Sequence, residues 1–458
     1  MERRAGLPAA TLGRWVLGLC IGSIGCALLV LLLGNLAVYG KDGPLTDPTD
    51  FSGPYCAGAA LDAGRDPYHV EPIRSCLHDV LAANGLRSSA THILYAPLPP
   101  YALAPFALFA KLPFSLATKL WLTLNIVALG IIVVAICRLS GQRPLIVVLA
   151  TFASAGFASL IIAQLVPIVV AALCVAALAA RRGNGPGAAL ALAVAAIEPH
   201  LALPAWVAMA AFVPRSRLPL VITGLLLVVL SLSYGIGLNL EFFTTTLPGQ
   251  ARAELYDFPP QYGLSPLLAT FGASAQVALV CGALSYLLMV VVGLYLGRML
   301  ARRYDDAAYI VVTPVAATLL GGTYIHGHQM AAALPLALML LGRARSLRVA
   351  FATAVFAVCA LAVPWETIAE LPIVADHLPA KVMPAHLPAL PVPGPNESVT
   401  IPYVAFVKAY GQLGDSRTIP EQVIWKLPTW AGLGALLIVA GRLGRGMRER
   451  TNAVALAS

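Results

Sequence analysis

Charge is what this sequence has least of. Of its 458 residues only 11% are Asp, Glu, Lys or Arg, against roughly 25% in an ordinary soluble domain. That scarcity excludes a soluble globular protein. Metal motifs are missing too: the eight cysteines and eight histidines form no CxxC, no HExxH and no Cys/His cluster of zinc-binding spacing. The net charge of +9 is accompanied by no P-loop, finger or RNP pattern and by no basic run interleaved with aromatics, so no nucleic-acid partner is expected. No internal repeat is visible, which argues against the inverted-repeat plan of many secondary transporters.

What the chain has in abundance is apolar length. Hydrophobic residues make up 59% of it and the mean hydropathy is +0.82, with many stretches long enough to cross ~30 Å of hydrocarbon as helix. The expected class is an all-α polytopic membrane protein, a single integral membrane domain over 1–458 with about 11–13 spanning helices. The first stretch, Trp15 to Tyr39, is too long for a signal-peptide core and reads as an uncleaved anchor. Further spans are expected at 117–137, 144–161, 165–180, 187–198, 201–213, 218–239, 274–297, 307–323, 328–341, 349–363 and 429–441. Several are shorter than an ideal span and should be tilted or broken.

The few charges are sorted. Placing the N-terminus on one side, with the loops at Arg138/Arg143, Arg181/Arg182, Arg215/Arg217, Arg298/Arg302/Arg303, Arg343/Arg345/Arg348 and a basic tail over 442–458, collects nineteen of the 30 Lys and Arg there. The loops 39–94, 240–272 and 364–428 hold nine basic residues against sixteen acidic ones, the imbalance expected of an outer face. Both termini are therefore expected in the cytoplasm, and the three long loops outside a cell (inner) membrane. This sorting works if Tyr95 to Ala110, with Pro97, Pro99, Pro100 and Pro105, dips into the bilayer and returns.

Two cysteines stand apart from the six in or beside apolar spans. Cys56 and Cys76 lie in the first outer loop, where an oxidising compartment would permit a disulfide. In the same loop Asp50 follows the first span. A carboxylate there either caps the next helix or, held near the hydrocarbon boundary, acts as a general base. Asp66-Pro67-Tyr68 reads as a turn, and Gln164 with Pro167 as a helix break. His326 and His328 in an otherwise apolar stretch are costly enough to suggest function. Arg252, alone in the second outer loop, could supply a fixed charge.

Asp50-Phe51, followed by Tyr55, Ala59-Ala60-Leu61, Gly64 and Asp66-Pro67-Tyr68, resembles the first-loop signature of glycosyltransferase family 87, membrane enzymes of the GT-C fold. Further matches follow in order. They are Tyr95-Ala96-Pro97-Leu98, Trp121 with Asn125, Ala163-Gln164 where the family has Gly-Gln, Tyr262-Gly263-Leu264-Ser265, and Thr323-Tyr324-Ile325-His326-Gly327-His328. The likeness covers roughly residues 45 to 345. It implies a transferase that moves a single sugar, with mannose the leading donor sugar, from a polyprenyl-monophosphate donor to a glycolipid or cell-envelope glycan acceptor at the outer face.

On that resemblance Asp50 is the expected catalytic base, and His326 or His328 the expected donor-phosphate ligand. Arg252, Glu198, Tyr55, Tyr95 and Gln164 complete the expected substrate site. No cofactor and no metal are implied, because the lipid-linked sugar is already activated, and the sequence has no DxD motif. Ile197-Glu198-Pro199 departs from the family, which usually has Lys-Pro there, so Glu198 should pair with His200 or an arginine or mark a different substrate. A competing class, a transporter or lipid-linked-sugar flippase, would use Glu198, His326 and His328 as proton-relay groups. A ligase for preassembled lipid-linked glycans is a third. Oligomeric state is not legible in these residues.

Overall fold

The computed structural model describes residues 49–83, 93–153, 159, 163–258, 260–343, 390–410 and 419–445. The expected anchor Trp15 to Tyr39, the span at 349–363, most of the proline-rich third loop and all but the start of the basic tail lie outside these. Among the described residues the protein is helical throughout, with two isolated bridges, His69 to Ser398 and Gln261 to His326, and no strand.

The first outer loop opens with α1 (Thr49–Asp62) and α2 (Val70–Ala83), followed by α3 (Pro100–Phe109). The disulfide Cys56–Cys76 joins α1 to α2 across a Cα separation of 5.7 Å. Between the two helices Asp66 accepts the backbone N–H of Tyr68 at 2.8 Å, a turn in which a side chain substitutes for a backbone acceptor. Two glycines of α1 set how closely its neighbours approach. A Cβ on Gly58 would lie 2.3 Å from the Phe106 backbone, and one on Gly53 would lie 3.2 Å from Leu94 and Tyr95. The ten residues of α3 rise about 15 Å, half the hydrocarbon thickness, so the proline-rich segment does not span by itself. Pro113 then caps α4 (Phe114–Ser140).

The long bundle follows. It comprises α4, α5 (Pro144–Ala153), α6 (Val166–Arg181), α7 (Gly185–Ala195), α8 (Pro199–Phe212) and α9 (Arg217–Ser233). Gly235, at φ +112°, breaks the expected span 218–239, and α10 (Ile236–Glu241), α11 (Leu247–Ala253) and α12 (Leu264–Thr270) form the second outer loop. The chain continues through α13 (Ala275–Tyr304), α14 (Ala308–Thr318), α15 (Leu334–Arg343), α16 (Thr400–Tyr410) and α17 (Ile419–Arg445). Among the described residues four helical segments, Phe114–Ser140, Pro214–Ser233, Ala275–Tyr304 and Lys426–Arg445, are long and apolar enough to cross a membrane. The shorter α6, α7, α8 and α14 are apolar and largely buried among their neighbours; α6, α7 and α8 keep about the expected lengths, and the expected span 307–323 contracts to Ala308–Thr318. The expected span 328–341 begins instead as a 3-10 turn, Gly327–Ala333, that leads into α15.

Two cores result. The larger one packs α4, α6, α7, α8, α14 and α15 through Ala, Val and Leu, small side chains that let helices approach closely. The smaller one is aromatic and packs α1 and the turn after it against α3 and α4: Phe51, Tyr68, Phe106 and Trp121 are all nearly inaccessible. Phe51 stacks on Trp121 at 5.2 Å and 19°.

The arginine loops gather at one end of the bundle. Arg181 donates to both oxygens of Asp306, at 3.0 and 2.6 Å, and to the carbonyls of Arg138 and Leu139 at 2.8 and 2.7 Å. It thereby fastens the C-terminal ends of α4 and α6 to the start of α14, where Asp306 also accepts the Ala308 N–H. The acidic loops gather around the other end of α4.

Candidate active site

At that other end lies a cavity of about 420 Å³. Its lining comes from segments far apart in sequence: Asp50 on α1, Tyr95 before α3, Trp121 on α4, Gln164 before α6, Glu198 and His200 at the start of α8, Gln250, Glu254 and Asp257 in the second outer loop, and Tyr324, His326, His328 and Gln329 ahead of α15. Tyr403 of α16 joins them from the third outer loop. The N-terminal part of α4 is therefore the cavity end, about 25 Å along the helix from its Arg138 end.

One wall is built around Asp50. Ala163 sits at φ +58°, the left-handed region that costs a residue with a Cβ and suits glycine. The Trp121 indole N–H fixes this turn by donating to the Ala163 carbonyl at 2.8 Å. The turn presents the next side chain, Gln164, whose amide donates to Asp50 Oδ2 at 2.5 Å. The aromatic core thus meets the carboxylate twice, through Phe51 beside Asp50 in the chain and through the turn at Ala163 and Gln164.

The opposite wall is a network of amides, carboxylates and imidazoles. Tyr95 donates to the Gln250 amide oxygen, and the Gln250 and Gln261 amide nitrogens donate to the two oxygens of Glu254. Glu254 is 1% exposed; burial, with Asp257 beside it, pushes its carboxyl well above the usual range. Gln261 is fixed from its other end, where its oxygen accepts the Ile325 N–H at 3.0 Å. Buried Lys426 of α17 holds the same loop by donating to the carbonyls of Phe258 and Gln261.

His326 plugs into this network. Its Nε2 lies 2.8 Å from the Gln261 amide nitrogen and 3.5 Å from Glu254 Oε2. As the N-cap of the turn Gly327–Ala333, the imidazole also accepts the backbone N–H of Gln329, while the Gln329 side chain accepts the His326 N–H at 3.0 Å. This reciprocal pair is a capping box with histidine in the serine position. The Gln329 amide nitrogen then reaches Glu198 Oε2 at 3.1 Å and His200 Nε2 at 2.9 Å. Burial, with His200 nearby, pushes the His326 imidazole down to about 4.

Of the residues expected from the sequence, Asp50, Tyr95, Gln164, Glu198, His326 and His328 converge on the cavity. Two do not. Tyr55 donates to the Leu112 carbonyl at 2.8 Å and packs on Phe114, tying α1 to the turn before α4. Arg252 is exposed. It lies two positions after Gln250 on α11, a spacing that puts the two on different faces of a helix, and Gln250 takes the cavity face. Glu198 meets His200 at 3.9 Å, with Gln329 between them, which answers the question its charge posed.

Gln250, Glu254, Asp257, Gln261 and Gln329 escape a reading of the sequence. Only Gln329 left a signal, since His326 and Gln329 have the N-cap to N3 spacing of a capping box. Glu254, Asp257 and His326 bring ligand atoms within 4.8 Å of one another, the metal-compatible group among the described residues. The Gln261 amide nitrogen, donating to Glu254 and touching His326, occupies the position of a cation bridging those two. Within the trio, His326 and Glu254 stand 3.5 Å apart.

Chemically, the cavity lining combines a hydrogen-bonded carboxylate, three imidazoles, and aromatic and proline side chains. That arrangement can accept a proton on one side and donate hydrogen bonds to an anionic group on the other. No curated protein and no solved structure matches the chain. Residues 98–323 match the model of glycosyltransferase family 87, a stretch that carries Trp121, Gln164, Glu198 and Glu254 and ends just before His326. That match, over just under half of the chain, supports membership of glycosyltransferase family 87 and with it a membrane glycosyltransferase.

Proposed function

We propose that this enzyme is a GT-C-type hexosyltransferase that transfers one sugar, mannose being the leading candidate, from a polyprenyl-monophosphate donor to a glycolipid or cell-envelope glycan. The reaction takes place at the outer face of a cell (inner) membrane whose cytoplasmic side holds the arginine loops and both termini. The observation that carries this reading is the Gln164 to Asp50 hydrogen bond on the cavity wall facing the imidazoles. Family membership favours it over the transporter class.

Asp50 is the general base. Gln164 donates to Oδ2 and so orients the carboxylate. The acceptor hydroxyl gives its proton to Asp50 as its oxygen bonds to the anomeric carbon on the face opposite the phosphate. The anomeric carbon–oxygen bond to phosphate breaks, its electron pair leaving with polyprenyl monophosphate, and the configuration inverts. Hydrogen-bond donors of the opposite wall stabilise the charge gathering on the departing phosphate. A sugar on a lipid phosphate is already activated, so the reaction requires no nucleotide, cofactor or metal.

The test is transfer by the purified protein of radiolabelled sugar from polyprenyl-phosphate-mannose to a native membrane extract, with other polyprenyl-phosphate sugars as a panel. Labelled glycolipid or glycan is expected from a monophosphate donor. Transfer from diphosphate-linked glycans alone would make the protein a ligase, and transfer from no donor would overturn the reading.

A further inference from the structure

Residues 393–410 lie outside the stretch that matches the family model and form a strap across the first two outer loops. The strap is bonded to the first loop through its backbone. Val70 and Glu71 donate to the carbonyls of Glu397 and Pro395, and Val399 donates to that of Tyr68, all at 2.9 Å. Arg74 donates to the Pro393 carbonyl at 3.0 Å. α16 then lies so close to α11 of the second outer loop that a Cβ on Gly249 would run into Thr400. Three residues further, on the same face of the helix, Tyr403 reaches the cavity lining.

Tyr403 is half-buried, and its ring meets Tyr95 edge to face at 5.3 Å and 81°. Burial, with Glu254, Asp257, Tyr95 and Asp50 around it, holds its phenol well above the usual range, so the hydroxyl keeps its proton. Carboxyl groups from three segments of chain therefore act on this one side chain. The described lining of the cavity contains no lysine or arginine to offset them. Carboxylates only accept hydrogen bonds and a protonated phenol can donate one, so this side of the cavity takes hydroxyl groups and repels anions. An aromatic ring adds a negative face, on which the partly positive C–H groups of a sugar ring can lie.

We propose that Tyr403 is the platform of the acceptor subsite, and that the acceptor unit receiving the transferred sugar is itself an uncharged pyranose stacked on this ring. A pyranose held there has Asp50 within reach of its hydroxyl groups, while the donor phosphate approaches from another side of the cavity. The strap is thus the element that selects what is glycosylated. This inference rests on the reading of Asp50 as the base of a sugar transfer.

The experiment is equilibrium binding of radiolabelled decyl α-mannopyranoside and decyl β-glucopyranoside to the full-length protein in lipid nanodiscs, corrected for empty nanodiscs. At least one should bind saturably to the wild type. Tyr403→Ala should weaken that binding by about tenfold or more, the scale of a lost aromatic contact. Tyr403→Phe keeps the ring and should stay within about fivefold of wild type. Decylglycerol has hydroxyl groups and no ring, and decyl glucuronide has a ring with a carboxylate; each should bind at least about tenfold more weakly. Saturable binding of neither pyranoside would overturn the inference, as would equal binding to wild type and Tyr403→Ala, or glucuronide bound as tightly as the pyranosides.

Transfer kinetics separate recognition from structure. Tyr403→Ala should raise KM for the acceptor about tenfold and leave KM for the donor at its wild-type value, whereas a displaced α16 would disturb Tyr95 and α11 and raise both. Should the pyranosides bind in the expected order while no monophosphate donor supports transfer, the sugar platform stands and the donor reading fails. Should transfer from a monophosphate donor proceed with the acceptor KM untouched by Tyr403→Ala, the donor reading stands and the inference fails.

Discussion

The two ends of α4 carry polar clusters built on opposite rules. At the Arg138 end, Arg181 faces Asp306 and two helix-terminal carbonyls, a fixed cation meeting a fixed anion and surplus acceptors. At the Trp121 end, carboxylates meet amides and imidazoles around a cavity. The first cluster is complementary within itself and serves to hold helices. The second, on the reading proposed above, is complementary to an acceptor proton and an anionic group, and the asymmetry places the proposed reaction at that end of the bundle.

Several measurements can break or sharpen this contrast. The largest effect on stability should come from the closed end. Arg181→Met leaves the Asp306 carboxylate buried without its cation, and loss of one partner from such a pair costs about 3 kcal/mol. Thermal unfolding should register that loss while kcat at a permissive temperature stays unchanged; a fall in kcat would erase the division between the ends.

Acid should act on the open end. The His326 imidazole falls from 6.5 unfolded to about 4 folded, so the unfolded chain binds the extra proton between these values and stability drops as pH falls from 6.5 toward 4. Glu254, Asp257, His200 and His328 surround that ring. Glu254 works in the other sense. Its folded carboxyl is raised above 4.5, so the folded chain keeps a proton the unfolded one has lost, and stability declines as pH rises from 4.5 toward the raised value. Replacing His326 by Gln should flatten the acid limb of a melting-temperature profile; an unchanged limb would place the sensitive group elsewhere.

A smaller effect is expected at Gln164. Hydrogen bonds to charged groups are worth about 1.5–3 kcal/mol, so Gln164→Ala should cut kcat by roughly ten- to a hundredfold, with melting hardly altered, since the amide orients a base and does not hold a helix. Smallest of all is Ala163→Gly, which relieves the left-handed strain at the cost of backbone entropy and should stabilise by about 0.5 kcal/mol. Ala163→Val should do the reverse and lower kcat by turning Gln164 away from Asp50.

The sequence shows these two ends unequally. Charge sorting separates the arginine loops from the acidic ones, because a bilayer imposes it on every loop alike. Asp50, Gln164, Glu198 and the two histidines are visible as polar residues at the ends of apolar runs. Arg252 and Tyr55 mislead for a common reason: residue type names a chemistry, while the helix face on which a residue falls decides whether that chemistry reaches the cavity. Glu254 is hidden, since nothing in a loop's composition distinguishes a solvated carboxylate from one buried among glutamines. The short spans at α6, α7 and α8 are legible at about their observed lengths, while 307–323 is overestimated at α14 because the hydropathy run continues through the turn that ends this short, buried helix. Ala163 makes sense only once its φ is known: the left-handed turn would suit glycine, and the Trp121 hydrogen bond holds it with alanine in place.

The central claim is that Asp50 takes the acceptor proton in transfer from a lipid-linked sugar. It is tested most directly by comparing wild type with Asp50→Asn, at equal melting temperature, in transfer of radiolabelled sugar from a polyprenyl-monophosphate donor. Loss of a general base should lower kcat by about 10²–10⁴-fold with donor binding preserved. Transfer by Asp50→Asn at the wild-type rate would contradict the account.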